Sequence, residues 1–572
     1  MPEEQLQDKN FYIGICMAGA VSAGAYTAGV MDYLLEALTE WEKRKKEGAP
    51  NTPKHNVVIP TLGGASAGGM TAIITACALN NPISPITEPP KNLADEKKEN
   101  KLYHTWVDQL QKEMFPLLLD TNDMEKESIV SLLNSSFIDK LADASLQVDK
   151  KSLTPLPSFI SPNLKIFATL TNLEGFSYNV AFKTFGNNSD KYYMAIHNDY
   201  ACFKMNSNTE VEDGWMDLDF RNDINVDVAK QAAMATGAFP VGLKTRRLKR
   251  KSAHVNRIIW DNDTRGINPV SGEDCDTLNV DGGVINNEPF DKVRDILTEI
   301  TGEKKDDYQN EKTFRSTVLM VDPFPSKRPK KFDYDQKLFH VVGLTLNAML
   351  EQMRAKPEQL SSALDTKCPG QFLIAPTRRR RNFDGVEQDV GGDQAIACGS
   401  LSGFGGFIEK EFRVHDYFLG RFNCEMFLRN YFTVSAAAVE TNPIFRKGYN
   451  DIDKEQFKGE NGTYQIIPIF TPNPEPGYFP IPTFKNGTNW PILDEKKIEG
   501  FRKDIKKRVQ ALIMNALKLK WYNKIFVWIG AKVVLNRTLT NAAISTIKKS
   551  LHNHQLMPLN KEKIKEINEE GN

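Results

Sequence analysis

Residues Gly63-Gly64-Ala65-Ser66-Ala67-Gly68-Gly69-Met70 surround a single serine with the smallest side chains available. An apolar run, Val57-Val58-Ile59-Pro60-Thr61-Leu62, precedes them, and the small, apolar Thr71 to Ala78 follows with helical spacing. A G-x-S-x-G serine between a strand and a helix has the pattern of a nucleophile elbow. Such a turn forces strained dihedrals on the serine, so the positions two before and two after it, Gly64 and Gly68, cannot carry bulk. The hydroxyl then stands above the sheet edge, and the helix N-terminus beneath it favours developing negative charge. A chain containing this segment is constrained toward an α/β fold with Ser66 at a strand end.

The 73 basic and 73 acidic residues among 572 cancel, which argues against a nucleic-acid partner. The seven cysteines are scattered without C-x-x-C spacing, as expected of reduced thiols in a cytoplasmic protein and not of a disulfide framework or zinc site. No metal-ligand constellation is visible, so activity is expected in chelator. Phe11 to Met31 contains no charged residue, but Glu3, Glu4 and Asp8 precede it and its interior is rich in glycine and alanine. A buried strand, a small-residue loop and a helix start suit it better than a signal peptide or membrane span.

Along the chain, Phe11–Cys16 reads as a strand and Ala25–Leu38 as a helix. Residues 82–102 form a polar connection, and 103–148 carry helical patterns around Trp106–Leu119 and Ile129–Leu141, an insertion placed to cover a site. Leu164–Thr171 and Phe176–Phe182 flank Asn172-Leu173-Glu174-Gly175 as a hairpin. Val226–Thr236 is a helix, Arg257–Trp260 and Thr277–Val280 are strands, and a helix (Phe290–Ile300) and strand (Ser316–Val321) follow. This alternation favours a mainly parallel sheet covered on both faces. Beyond Pro323 the pattern predicts helices over Lys337–Met353, Asp416–Phe432 and Glu495–Leu517, a strand at Phe372–Ala375, and a proline-rich loop from Pro472 to Pro482.

Asp281-Gly282-Gly283 is the only D-G-G in the chain and ends a strand, where open α/β sheets place ligands. A small-residue N-terminal loop, the elbow and this acidic turn, in that order, resemble the patatin-like lipid acyl hydrolases. Val280-Asp281-Gly282-Gly283-Val284-Ile285-Asn286-Asn287 looks very like that family's second signature. The resemblance implies a three-layer α/β/α catalytic domain over 10–325, with a helical insertion about 82–160. A largely helical C-terminal extension covers 326–572. Gly403-Phe404-Gly405-Gly406-Phe407 and Phe412-Arg413-Val414-His415-Asp416-Tyr417 look similar to extensions of some bacterial members.

The resemblance further implies a cofactor-free Ser66–Asp281 dyad that cleaves fatty-acyl esters of phospholipids or related lipids through an acyl-enzyme. A free aspartate is a poor base at neutral pH, so Asp281 must be desolvated and held against Ser66. Backbone N–H donors for the oxyanion are expected from Met17 to Gly24, with Gly19 and Ala20 the best placed. This loop departs from the common family pattern in carrying Ala18, Ala20 and Ser22 and no basic residue, yet alanine offers the same N–H as glycine.

Two alternatives remain open on sequence. One is a Ser-His-Asp hydrolase drawing on His340, His415, His552 or His554. The other is a catalytically silent protein of the same fold that binds lipid or a partner. Basic clusters at Lys244–Lys251, Lys327–Lys331 and Arg378–Arg381, with the lysine–aromatic run Lys518–Trp528, suggest reversible peripheral contact with anionic membrane.

Overall fold

β1 (Asn10–Met17) and β2 (Asn56–Gly64) are almost continuously apolar, as strands covered on both faces must be, and they lie side by side in parallel at the centre of the sheet. In the computed structural model, residues 9–558 are described except 93–94, 110–113, 125–128, 182–190, 206–213, 261–269, 326–368 (apart from scattered single positions), 382–386, 475–479 and 517–535. Among the described residues the main sheet has nine strands, in the order β5-β4-β3-β2-β1-β8-β9, with β7 paired to β3 and β6 paired to β7. These are β3 (Ile160–Ala181), β4 (Lys191–Met205), β5 (Met216–Leu218), β6 (Arg246–Lys251), β7 (Asp274–Asp281), β8 (Ser316–Val321) and β9 (Gln371–Ile374). The run β3-β2-β1-β8-β9 is parallel, whereas β4, β6 and β7 join antiparallel on the β3 side.

Helices α1 (Gly24–Glu47), α2 (Ala67–Ala78), α3 (Ile138–Ser145), α4 (Val226–Thr236), α5 (Ser252–Trp260) and α6 (Phe290–Thr301) surround this sheet. One large apolar cluster includes residues of β2, α1, α2 and α4, and α6 packs with β1 and β8 residues in a second cluster. The uncharged segment Phe11–Met31 divides into β1, a short turn and the start of α1. No described helix is long and apolar enough to cross a membrane.

Three local expectations are corrected. Asn172–Gly175 is not a hairpin turn: β3 runs through it, and its pairing with β4 slips between Thr171 and Phe176. The Asn172 side chain accepts the Glu174 N–H and Gly175 adopts φ 77°, which makes a bulge and leaves the strand direction intact. Arg257–Trp260 lies in α5, because Val255, Ile258 and Ile259 have the i, i+3, i+4 spacing of a helix face. Within Ile129–Leu141 only the end enters a helix, α3, and residues 129–137 form an irregular strap. Nearly all of Lys337–Met353 lies outside the described residues.

Beyond residue 326 the chain continues the same core. β9 adds a parallel strand to β8, and α7 (Lys410–Asn430) lies along α1. The two helices meet at glycines: a Cβ on Gly29 would overlap the Tyr417 carbonyl oxygen, and one on Gly420 would overlap that of Tyr26. Arg421 reaches from α7 to Asp32 and Glu36 of α1, so the close packing carries a buried ion pair whose partner cannot be removed cheaply. The charged segment near residue 500 forms two helices, Glu495–Gly500 and α8 (Arg502–Ala516), and α9 (Asn536–Asn553) packs on α8. We predict that Gly29→Ala lowers stability by about 1–3 kcal/mol through overpacking against backbone that cannot retreat, read as a lower urea midpoint at unchanged slope.

Candidate active site

The elbow is built where β2 stops and α2 begins. Ser66 precedes the helix with φ 50° and ψ −127°, a left-handed backbone for a residue that carries a side chain. That strain persists because the surroundings over-determine it. A side chain on Gly64 or Gly68 would overlap the Met17 carbonyl oxygen, so both must be glycine for the loop after β1 to approach. The Ser66 N–H donates to Thr236 Oγ1 at 2.9 Å, and the Ala65 N–H to the Met17 carbonyl at 3.1 Å.

Asp281 ends β7, which pairs with β3 at Leu170, two residues beyond the last β2 pairing at Ala168, and so reaches the elbow where β2 stops. Ser66 Oγ donates to Asp281 Oδ2 at 2.6 Å, and the Gly283 N–H donates to Asp281 Oδ1 at 2.8 Å. The Asp281 backbone is clamped as well: its N–H donates to the Ala238 carbonyl, and its carbonyl accepts from Thr171 Oγ1, both at 2.9 Å. Gly282 allows the turn because a Cβ there would overlap Thr169. Burial pushes the Asp281 carboxyl up to about 6, while the Ser66 and Gly283 hydrogen bonds hold it back from rising further.

Gly19 lies against this pair: a Cβ there would sit 3.1 Å from Ser66 Cβ and would overlap Asn287 Oδ1. Among the described residues the N–H groups of Gly19 and Ala20 have no protein acceptor. The loop is fixed on its far side by the C-terminal region. Ser22 Oγ donates to the Gly403 carbonyl and accepts the Gly406 N–H at 3.0 Å.

Residues 15–294 match the patatin-like phospholipase family. The chain is also 30% identical, over 493 residues, to the uncharacterized protein y4iI of Sinorhizobium fredii, which spans 77% of this chain and 69% of that protein. The chain belongs to the patatin-like phospholipase family.

In this patatin-like chain, Ser66 and Asp281 form part of the wall of a mostly apolar cavity. Met70 and Ile74 of α2, Leu141 of α3 and Met234 of α4 line it. The insertion closes one side. A π-helical turn, His104–Asp108, turns three successive residues, Thr105, Trp106 and Val107, toward the cavity. Gly24 at the start of α1 leaves room for the Trp106 ring, which a Cβ there would strike.

Among the described residues no histidine lines the cavity. His415 Nδ1 is 2.7 Å from Asp416 Oδ1, and its ring packs edge-on against Trp490 with centroids 4.7 Å apart. Asp416 in turn accepts the N–H groups of Ala397 and Cys398, so the pair is an internal brace of the extension. His554 Nδ1 contacts the Ser550 carbonyl at 2.9 Å, His552 is buried in α9, and His340 lies outside the described residues.

Sequence reasoning missed Thr236, Thr171 and Asn287. Asn287 was visible in the acidic signature, but the two threonines acquire a role only through the topology that brings α4 and β3 to the elbow. We predict that Thr236→Val, which strips the buried Ser66 N–H of its acceptor, destabilises the protein by about 1–3 kcal/mol. Serine-directed fluorophosphonate should then label Ser66 more slowly at a temperature where the variant is fully folded; unchanged labelling would separate Thr236 from the elbow.

Proposed function

We propose that this protein is a serine lipid acyl hydrolase in which Ser66 is the nucleophile and Asp281 the base. The observation carrying the reading is the 2.6 Å hydrogen bond from Ser66 Oγ to Asp281 Oδ2 on the wall of an apolar cavity. Ser66 Oγ attacks the acyl carbonyl carbon of a phospholipid or related ester as its proton passes to Asp281 Oδ2. The N–H groups of Gly19 and Ala20 receive the resulting oxyanion, and the N-terminus of α2 adds its dipole. Collapse expels the alcohol portion of the lipid, which takes the proton from Asp281, and leaves the acyl group on Ser66. Water then attacks the acyl-enzyme with Asp281 again accepting a proton, and fatty acid departs with Ser66 reprotonated.

The environment of Asp281 suits both roles. A carboxyl raised to about 6 is a stronger base than an exposed aspartate yet remains ionised at neutral pH. The Gly283 N–H occupies Oδ1, which leaves Oδ2 for the serine. An apolar cavity suits a fatty-acyl chain, and the low polarity of its wall strengthens the electrostatics at the oxyanion.

Because catalysis requires the ionised carboxylate, kcat/KM should fall about tenfold per pH unit below roughly pH 6, the limb set by Asp281. A profile flat to pH 4 would contradict the assignment. On mixed phospholipid, Ser66→Ala and Asp281→Asn should each lose at least about a hundredfold in rate, whereas folded His415→Asn should retain activity. Loss with His415→Asn at full folding, together with an active Asp281→Asn, would favour a triad.

The reading includes peripheral contact with membrane. Of the basic clusters, Lys244–Lys251 is largely committed internally: Arg246 pairs with Asp139, Arg247 with Asp276, Lys249 with Asp274, and Arg250 bidentately with buried Asp199. Arg378 lies 3.5 Å over the Trp490 ring and Arg379 pairs with Asp389. Lys327–Lys331 and Lys518–Trp528 lie outside the described residues.

A further inference from the structure

The cavity mouth carries an exposed apolar edge that the fold has taken trouble to hold in place. Phe239, which lines the cavity, is 41% exposed, and Val241, two residues on, is 71% exposed. Val241 has φ 65°, and the Gly242 N–H donates to the Pro240 carbonyl at 2.7 Å across it. A positive φ closed by an i to i+2 bond marks the γ-turn of the rarer, strained kind, and a β-branched residue is the least suited to it. The strain thus presents an aliphatic side chain to solvent at the tip of a turn.

The neighbouring strap repeats the pattern. Leu132 and Leu133 donate their N–H groups to the carbonyls of Val241 and Gly242, both at 2.9 Å, so Leu132, 47% exposed, stands beside Val241, with Val130, 49% exposed, two residues away. The strap is not loosely draped. Buried Arg508 of α8 donates Nε to the Leu132 carbonyl at 2.9 Å, Nη2 to that of Ser131 at 3.1 Å and Nη1 to that of Asp120 at 2.6 Å. Its guanidinium also pairs with Asp123. The turn is braced in turn by Phe239, whose ring packs edge-on against Phe404 with centroids 5.5 Å apart.

Charge at the rim distinguishes what this edge meets. Lys244 lines the cavity and is exposed, and Lys140 is exposed on α3 next to Asp139, the partner of Arg246. Among the described residues neither lysine has an ion-pair partner, in contrast to the basic residues of β6. A rigid aliphatic edge continuous with an apolar cavity, flanked by unpaired cations, complements an acyl-chain surface topped by anionic headgroups.

We propose that Val130, Leu132, Phe239 and Val241 form an interfacial edge that inserts into an anionic lipid surface and opens the Ser66 cavity directly onto it. Lys244 and Lys140 contact the headgroups. This inference rests on the lipid hydrolase reading for its substrate but specifies a surface whose binding is measured without turnover. The edge, and not a cluster of basic residues, then supplies the affinity, with charge selecting the lipid.

The test uses the full chain with vesicles of phosphatidylcholine alone and of phosphatidylcholine mixed with phosphatidylglycerol. Co-sedimentation is measured for the parent, Val241→Asp, Leu132→Asp and Val241→Gly; the glycine accepts the positive φ and guards against misfolding. Each aspartate should lower partitioning into the mixed vesicles by roughly tenfold or more, the glycine by less. Hydrolysis of a soluble short-chain ester and fluorophosphonate labelling of Ser66 should stay unchanged, since neither Val241 nor Leu132 lines the cavity. Undiminished vesicle binding by both aspartate variants overturns the proposal. So does a parent that light scattering shows to be a dimer and that Val241→Asp converts to monomer, because the edge would then be covered by a second copy. A parent that binds vesicles through this edge but neither labels nor hydrolyses ester sinks the hydrolase reading alone.

Discussion

One carbonyl oxygen, that of Met17, holds the centre of this structure together. It fills the space that side chains on Gly64 and Gly68 would occupy and accepts the Ala65 N–H. The loop after β1 is therefore pressed onto the elbow after β2. That contact carries Gly19 to Ser66 and forces the serine into a backbone conformation it would not adopt unaided. The strain is maintained because β1 and β2 are adjacent parallel strands, so their C-terminal ends emerge together at one sheet edge. β7, arriving antiparallel against β3, delivers Asp281 to the same point. Position in the sheet thus brings together residues 215 apart in the sequence.

The C-terminal region contributes to this centre without supplying any of its proposed reacting groups. Gly403 and Gly406 grip Ser22, which fixes the loop carrying Gly19 and Ala20 from behind. α7 presses on α1 through paired glycines, and Arg508 of α8 pins the insertion strap beside the cavity. The region is therefore integral to the architecture of the candidate site, and its His415–Asp416 pair belongs to that bracing.

Legibility from sequence followed the range of the interactions. The elbow, the D-G-G turn and the alternation of β1, α1, β2 and α2 were readable because glycine positions and apolar runs are local signals. The bulge at Asn172–Gly175 was not: the same Asn and Gly that turn a hairpin also make a bulge, and only pairing with both β4 and β7 selects the latter. Arg257–Trp260 was misread because four residues are too few to show a period, and the helical spacing emerges only when Val255 is counted with Ile258 and Ile259. Thr236 carries no motif; its hydroxyl matters only because α4 ends above the elbow. The basic run at Lys244–Lys251 suggested a membrane-facing patch, but its acidic partners come from distant segments invisible to composition.

Acylation of Ser66 during turnover, as proposed, can be trapped by acid-quenching the protein milliseconds after mixing with a phospholipid and measuring intact and peptide mass. A fatty-acyl increment is expected on the peptide containing Ser66 and not in Ser66→Ala. Turnover with no such increment under conditions where deacylation is slow, or an acyl group found on another residue, would contradict it.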